Sequence, residues 1–188
     1  GLVMCEGKEL TLVSPVDAVR AGILLLAGNR KHEALFPVLG VRNNATIQVL
    51  DKFSNFGWVN RKREFDKVTD LVKQLKVRTP SLEQPVQFLS GGNQQKVVIS
   101  KWLVRDCDIL IFDEPTRGID VGAKSEIYKL LNELADEGKS IIMISSELPE
   151  ILRMSHRVLV MCEGKVTGVL PASECSQEKI MYYATMRN

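Results

Sequence analysis

Two neighbouring stretches constrain this chain more than any other feature of its sequence. The first, residues 89–96, reads LSGGNQQK and leads directly into an apolar helical run. A serine and two glycines at that point would present bare backbone N–H groups and a hydroxyl at the positive end of a helix. Such an arrangement binds phosphate.

The second stretch, residues 109–116, reads ILIFDEPT and predicts an apolar strand of the kind that is buried on both faces. It ends in two adjacent carboxylates, Asp113 and Glu114. Ligands of α/β proteins bind at the carboxyl ends of the strands, so both acids lie where a ligand can reach them. One carboxylate suits a magnesium ion and the other a water molecule. Either stretch alone fits an ordinary loop or strand end, whereas both together, with Gly118 and Asp120 just beyond, indicate a functional site.

The order and spacing of these motifs resemble those of the ABC ATPases: a signature loop, a Walker B strand, a catalytic glutamate and a D-loop. The longer strings LSGGNQQKVVISKWL and DEPTRGIDVGAK resemble most the second nucleotide-binding domain of sugar importers of the ribose, galactose and xylose type. The resemblance extends over nearly the whole chain, from Ser14 to Met181.

This resemblance implies ATP hydrolysis coupled to sugar import, with ATP and Mg²⁺ as cofactors. Asp113 would hold Mg²⁺ through water, and Glu114 would act as general base on the attacking water. The signature residues would close in trans over the γ-phosphate of ATP bound to a partner domain; they are Ser90, Gly91, Gly92, Asn93 and Gln94. In the D-loop, Gly118 and Asp120 would connect the two sites.

The resemblance also implies partners and a location. The partners would be the other nucleotide-binding domain of the importer, the transmembrane permease subunits and, indirectly, a periplasmic sugar-binding protein. The chain would be cytoplasmic and peripheral on the inner membrane. A formal net charge of +2 gives no support for a nucleic-acid partner, and the apolar runs fall far short of the roughly 20 residues that cross a bilayer. Four scattered cysteines without a close pair are expected to be reduced thiols. The choice of sugar belongs to the permease and the binding protein.

Three departures from the family pattern bear on catalysis. Gly28 stands at the Q-loop position, where a glutamine usually touches magnesium and the attacking water. Ser146 stands at the switch position, where a histidine is usual, and serine cannot carry a positive charge. No G-x-x-x-x-G-K-[ST] phosphate loop occurs in the sequence. We therefore expect the chain to be the carboxyl-terminal part of the second nucleotide-binding domain, inactive by itself, with apolar sheet surface uncovered.

Two further interpretations remain open at this point. A non-catalytic module would supply only a signature face and a permease contact, and the missing phosphate loop, Gly28 and Ser146 favour it. An ABC-type DNA-repair or chromosome ATPase also uses a signature loop, but no coiled-coil heptads interrupt this sequence. The sequence that precedes Gly1 in the gene would discriminate between a catalytic and a non-catalytic protein.

The predicted fold is α/β, a partial P-loop NTPase fold of the ABC ATPase type without the Walker A strand and helix. It would have a parallel core sheet, an inserted α-helical signature subdomain and antiparallel strands at both ends. We assign residues 1–34 to the N-terminal antiparallel strands and the Q-loop strand. Residues 35–105 form the helical subdomain that ends in the signature helix. Residues 106–188 form the Walker B and D-loop core with a closing hairpin and helix.

Local patterns add three expectations. Phe65, Val68, Leu71, Val72 and Leu75 recur at helical spacing and predict one buried helix face. The aromatic residues just upstream, Phe53, Phe56 and Trp58, are expected mainly in the core, or else, from the resemblance, on the surface that meets the permease's cytoplasmic helix. The string VMCEGK occurs at residues 3–8 and again at 160–165, which predicts two hairpins with the same turn.

Overall fold

The computed structural model describes residues 2–29, 33–105 and 107–186. Its strands are β1 (Met4–Cys5), β2 (Lys8–Glu9), β3 (Ile23–Leu26), β4 (Ser54–Asn55), β5 (Trp58–Val59), β6 (Ile109–Asp113), β7 (Ser140–Ile144), β8 (Arg157–Cys162) and β9 (Lys165–Pro171). Its α-helices are α1 (Pro15–Arg20), α2 (Val41–Thr46), α3 (Leu50–Phe53), α4 (Arg61–Gln74), α5 (Gly91–Leu103), α6 (Val121–Asp136), α7 (Leu148–Met154) and α8 (Gln177–Ala184).

The core is a three-stranded sheet in the order β3-β6-β7. Strands β3 and β6 are parallel, with Ile23 opposite Ile109 and Leu26 opposite Phe112. Antiparallel pairs lie near both ends of the chain, β1 with β2 and β8 with β9. The parallel core sheet and the antiparallel strands at the ends are therefore confirmed.

Only one face of the core sheet is buried. Leu24, Leu26 and Leu110 are 1% exposed and Phe112 is fully buried, whereas Leu25 on the other face of β3 is 55% exposed. On β6 itself, Leu110 and Phe112 are buried whereas Ile109 and Ile111 are only half-buried, so the prediction of a strand buried on both faces is wrong for this chain. An apolar strand needs cover on both sides to bury both faces, and the described residues cover one. The expected uncovered apolar sheet surface is present.

Three hairpins turn in the same way. The two copies of VMCEGK place Glu6-Gly7 and Glu163-Gly164 at the turns, and all four residues have a positive φ between 49° and 79°. Phe56-Gly57 joins β4 to β5 with φ of 48° and 83°. Two-residue turns with positive φ at both positions match the twist of the flanking strands, and glycine occupies the second position at no steric cost. The prediction of two hairpins with one turn is confirmed.

The buried face of α4 is shifted by one residue from the prediction. Val68, Leu71 and Leu75 are buried as expected, but Phe65 is 47% exposed, so its predicted burial is wrong. The residue that completes the buried face is Glu64, which is 1% exposed and lies one turn before Val68. Its carboxylate accepts a hydrogen bond from Thr46 Oγ1 at 2.7 Å and pairs with Arg42 at 3.2 Å, which satisfies the buried charge.

The aromatic residues before α4 divide into two groups. Phe53 is 5% exposed and packs in a small core with Val49, Leu71 and Val104. Phe56 and Trp58 are 98% and 83% exposed at the β4-β5 hairpin, so their expected core packing is wrong. A two-residue turn projects its side chains away from the strands, which is why Phe56 cannot reach the core.

Two compact units make up the chain, Gly1–Ile142 and Met143–Asn188. The second has its own core of Val158, Val160, Leu170 and Ile180. The regions 1–34, 35–105 and 106–188 are assigned from sequence motifs and not from packing, so their boundaries remain predictions. Within the described residues, no helix combines the length and apolarity that crossing a membrane requires. All four cysteines are described, and none forms a disulfide.

Candidate functional site

The amino end of α5 is held by side chains of its own loop. Ser90 occupies the N-cap position with extended backbone angles, φ −61° and ψ 157°, but its side chain caps no helix N–H. Its hydroxyl instead accepts a hydrogen bond from Asn93 Nδ2 at 2.9 Å, and Asn93 Oδ1 accepts one from the backbone N–H of Arg78 at 2.8 Å. The sequence prediction of a serine at a helix end is confirmed, and Asn93 ties that end to the chain before it.

A second helix begins beside it. Asp120 caps α6 by accepting a hydrogen bond from the backbone N–H of Ala123 at 2.8 Å. Gly92 lies against this turn, because a Cβ built on it would be 2.6 Å from the Cβ of Ala123. Any side chain at position 92 would push the two helix ends apart.

The two helix ends open onto one shallow depression. Its lining residues are Arg78, Ser90, Gly92, Asn93, Asp120, Gly122, Ala123 and Glu126. Two amino ends at one surface concentrate backbone N–H groups and positive dipole ends, which attract anions. The structure thus brings together Ser90, Gly92, Asn93 and Asp120 of the predicted site.

An ion pair ties α5 to α6 beside this depression. Lys96 Nζ donates to Glu126 Oε2 at 2.7 Å and to the carbonyl of Lys76 at 3.0 Å. The hydrogen bond from Lys96, its charge and the more distant charge of Arg78 lower the pKa of Glu126. Glu126 therefore stays ionised at neutral pH and holds the two helices in place.

The two predicted catalytic carboxylates lie at the carboxyl end of β6, and neither lines the depression. Asp113 is the last residue of β6, and Gly28 follows β3 so closely beside it that an added Cβ would be 3.2 Å from Asp113 Oδ2. Glu114 has a φ of 47° and precedes Pro115, although a residue before proline normally prefers extended angles. Backbone strain of this kind is concentrated at functional sites.

The donor set at this strand end is compatible with magnesium. Mg²⁺ prefers oxygen ligands and is usually held by one or two carboxylates together with substrate phosphates and waters. In the described part of the chain, no group of three His, Cys, Asp or Glu side chains could hold a metal ion.

The remaining predicted residues do not line the depression. Gln94 is 7% exposed, and its Nε2 donates to the carbonyl of Val86 at 3.0 Å, which directs it away from the depression. Gly91 is the first residue of α5, and Gly118 has a φ of 67° in the loop that leads to α6. Ser146 follows β7 in the second unit. Its neighbour Ser145 donates to Glu150 and accepts from the backbone N–H of Glu147.

Sequence reasoning missed Arg78, Ala123 and Glu126. Arg78 belongs to an irregular segment before the signature stretch, and nothing in its sequence neighbourhood marks it. The small residue Ala123, three positions after Asp120, is the one signal that could have indicated a close approach to a glycine.

Known proteins resemble this chain in sequence and in fold. Residues 1–117 match the family described as ABC transporter. A Burkholderia ambifaria protein, provisionally named a ribose/galactose/methyl galactoside import ATP-binding protein, is 57% identical over 188 residues, which is all of this chain and 37% of that protein. The ribose import ATP-binding protein of Oceanobacillus iheyensis is 50% identical over 188 residues, 38% of its length. The xylose import ATP-binding protein of Thermoanaerobacter pseudethanolicus is 50% identical over 185 residues, 98% of this chain and 37% of that protein.

The chain thus spans somewhat more than a third of the length of these relatives.

Two solved structures share its fold. A nucleotide-free ATP-binding cassette from an ABC transporter has a TM-score of 0.76 at 20% identity and covers 96% of this chain and 72% of that one. A dimeric ATP-binding cassette in a post-hydrolysis state with ADP and phosphate has a TM-score of 0.72 at 19% identity, covering 92% of this chain and 73% of that one.

Proposed function

The chain belongs to the ABC transporter family, and from this premise we propose that it is part of the ATP-hydrolysing subunit of a sugar importer. The relatives at 50% to 57% identity are named for import of ribose, galactose, methyl galactoside or xylose, which supports a sugar of this class as the transported substrate. ATP hydrolysis would drive transport across the bacterial inner membrane.

The observation that carries this proposal is the depression shared by the amino ends of α5 and α6. Ser90, Gly92 and Asn93 would receive there the γ-phosphate of ATP that is bound mainly by a partner nucleotide-binding domain. A phosphate needs close approach to backbone N–H groups, and Gly92 provides it without a side chain. Asp120 caps the second helix and would pass the state of one site to the other.

The carboxylates at the end of β6 would serve the site on the chain's own domain. Glu114 would take a proton from the attacking water as general base. Asp113 would hold Mg²⁺ through water, and the ion would neutralise charge on the transferring phosphoryl group. Gly28 leaves this position without the glutamine side chain of other family members, so the two acids would act without that third polar group.

The exposed β4-β5 hairpin would supply a contact to the permease. Phe56 is 98% exposed and Trp58 is 83% exposed, and large exposed aromatic rings grouped on one hairpin mark an interaction site. The hairpin leads into α4, which begins with Arg61-Lys62-Arg63. Arg61 pairs with the buried Glu64 at 3.5 Å, whereas Lys62 and Arg63 are exposed. Cations are unfavourable at a helix amino end, so the charge of Lys62 and Arg63 has a better explanation in recognition than in helix stability. The permease would hold the subunit at the cytoplasmic side of the membrane and connect it to the sugar-binding protein.

A non-catalytic role is the second candidate, and two positions favour it. Gly28 and Ser146 both lack the side chains with which family members usually contact the attacking water or the phosphate. In that case the chain would supply its signature surface and its permease contact to a partner site that performs all the hydrolysis.

A chimera tests both candidates. The matching segment of the Oceanobacillus iheyensis ribose import ATP-binding protein, 50% identical, is replaced by this chain and reconstituted with its permease in vesicles. Uptake of ribose and ATP hydrolysis are measured for the chimera and for Glu114→Gln, Gly92→Asp and Glu9→Gln, the last an exposed control on β2. Closure of the two nucleotide-binding domains is followed by crosslinking.

Glu114→Gln is expected to lower hydrolysis by about 10² to 10⁴ at its site and to leave closure intact, because the loss of a positioned base slows the chemistry alone. Gly92→Asp is expected to abolish closure, because its side chain would push against Ala123 and its carboxylate would meet the γ-phosphate in a desolvated cleft. Unchanged hydrolysis in Glu114→Gln would favour the non-catalytic candidate. Lost closure in Glu114→Gln with normal closure in Gly92→Asp would refute the assignment of both motifs.

A further inference from the structure

Lys101 is a buried cation on the signature helix that the proposed chemistry does not use. It lies on α5 and is 3% exposed. Its ammonium donates a hydrogen bond to the carbonyl of Ala34 and lies 5.7 Å from the centre of the Phe36 ring. A lysine this deeply buried normally has a carboxylate partner, whereas the contacts of Lys101 within the described residues are a carbonyl and a ring face.

The buried charged groups described on the neighbouring helices, Glu64 and Lys96, have partners of their own. On α2 and α4, Arg42 pairs with Glu64 at 3.2 Å. On α6, Glu126 pairs with Lys96 at 2.7 Å. Strand β3 is entirely apolar, and the side chain of Glu33 is exposed. Burial alone lowers the pKa of Lys101, to about 8.

The segment that Lys101 holds begins at the end of β3. Gly28 lies against Asp113, and the carbonyl of Asn29 accepts a hydrogen bond from the backbone N–H of Glu33 at 2.9 Å. Ala34 follows directly and accepts from Lys101. A continuous path of contacts therefore leads from the strand end with the acids to the helix whose amino end carries Ser90.

The same segment is also attached to α2. The buried amide of Asn44 accepts from the backbone N–H of Phe36 at 2.8 Å and donates to the carbonyl of Phe36 at 3.0 Å. Asn44 is neutral and its hydrogen bonds are fully formed, whereas Lys101 carries a charge that burial disfavours. Of these two attachments, the one to α5 is the more easily released.

We propose that Lys101 is a positioning residue that reversibly docks the segment 33–36 onto α5, so that the chain leaving β3 sets the position of the signature helix. Release would return the ammonium to water, and docking would bury it again. A rigid helix transmits such a change over the 11 positions from Ser90 to Lys101, to the depression at its amino end. This consequence for the signature end rests on the proposed function, while the docking itself does not.

Docking can be tested through the protonation of Lys101, because the docked and released states differ in their affinity for a proton. If the docked lysine has a pKa of about 8 and the released one the ordinary 10.5, the released state binds more protons between these values. The ratio of docked to released segment is then expected to be constant below pH 8 and to rise by close to tenfold per pH unit up to about pH 10.

The assay is methyl NMR of this chain with ¹³C-labelled alanine and a soluble paramagnetic reagent. Ala34 reports release, because its methyl group becomes accessible, and Ala45 on α2, 1% exposed, reports global unfolding in the same spectrum. The accessibility of Ala34 is expected to fall between pH 8 and 10 while that of Ala45 stays constant. No nucleotide or partner is needed, so failure here is distinct from failure of the proposed function.

Two variants separate docking from packing. Lys101→Met has similar length and no charge, and is expected to keep Ala34 protected at every pH. Lys101→Arg stays charged, and is expected to keep Ala34 accessible at every pH. Lys52→Met, which removes another lysine that donates to carbonyls of the α5 end at 3.0 Å and 3.3 Å, should preserve the pH dependence. Equal behaviour of Ala34 and Ala45 in the unsubstituted chain, or an unchanged pH dependence in Lys101→Arg, would overturn the proposal.

Discussion

Gly92 is the residue at which a single methyl group tests the geometry of the site. A Cβ at this position would lie 2.6 Å from Ala123 Cβ, about 1 Å closer than the usual contact between carbon atoms. Overpacking a tight contact costs about 1 to 3 kcal/mol. Alanine also favours the helix over glycine by about 1 kcal/mol, which offsets part of this cost. Gly92→Ala is therefore expected to lower the free energy of unfolding by up to about 2 kcal/mol.

A second substitution shows whether the contact with Ala123 is the cause. Ala123→Gly removes the opposing methyl group and by itself costs about 1 kcal/mol of helix propensity. In the double variant the clash is absent and the two propensity effects cancel, so its stability should be close to that of the unsubstituted chain. The coupling energy between the two positions is then about 1 to 3 kcal/mol.

The measurement is urea unfolding of this chain followed by far-UV circular dichroism, with stability from linear extrapolation. Gly122→Ala is the matched control, because its added Cβ would meet only the carboxylate oxygen Oδ1 of Asp120 at 3.3 Å. A Gly92→Ala variant more stable than the starting chain, or a double variant additive within about 0.5 kcal/mol, would refute the close approach of α5 and α6.

Three further predictions concern binding and charge. The chain alone is expected to bind Mg-ATP more weakly than low-micromolar, because its sequence holds no phosphate loop; titration calorimetry measures this, and tight binding would contradict it. Replacing Phe56 and Trp58 together by serine is expected to reduce attachment of the chimeric importer subunit to permease vesicles, measured by flotation, and to leave its stability unchanged. Phe53→Ser, which alters a buried ring, should instead unfold the helical region. Glu126→Gln is expected to lower the free energy of unfolding at pH 7 by less than about 1 kcal/mol and to have no effect near pH 3. The pKa of Glu126 is lowered in the folded chain, so its ion pair adds stability above the ordinary carboxyl pKa, and this stability is lost as pH falls. An equal loss at both pH values would show a packing effect instead.

Sequence reasoning succeeded where one residue type determines local geometry. Ser90 precedes the first residue of α5, where a serine followed by two glycines predicts the amino end of a helix. The Glu-Gly turns of the repeated hexapeptide follow from the same principle, because glycine fixes where the chain can turn. Each of these features depends on a few neighbouring residues, so the sequence contains the information.

Reasoning failed where burial depends on residues distant in sequence. Helical spacing around Val68 and Leu71 fits Phe65 and Glu64 almost equally well. Glu64 is buried because Thr46 and Arg42, on another helix, satisfy its carboxylate. Periodicity ranks phenylalanine above glutamate for a core position, and no local pattern reveals a buried partner for the acid.

The signature helix shows why such partners matter for the site. Among the polar residues that α5 buries, Gln94, Lys96 and, while it is docked, Lys101 make directional contacts with other parts of the chain: the carbonyl of Val86, the carboxylate of Glu126 and the carbonyl of Ala34. Apolar packing tolerates a small rotation or shift of a helix, whereas a buried hydrogen bond is lost when its partner moves by about 1 Å. The polar contacts therefore fix the rotation and register of α5 more tightly than its valines and isoleucine do. A helix whose amino end must meet a phosphate at backbone distance requires that kind of support, and the polar residues of α5 that a sequence pattern assigns to solvent are the ones that provide it.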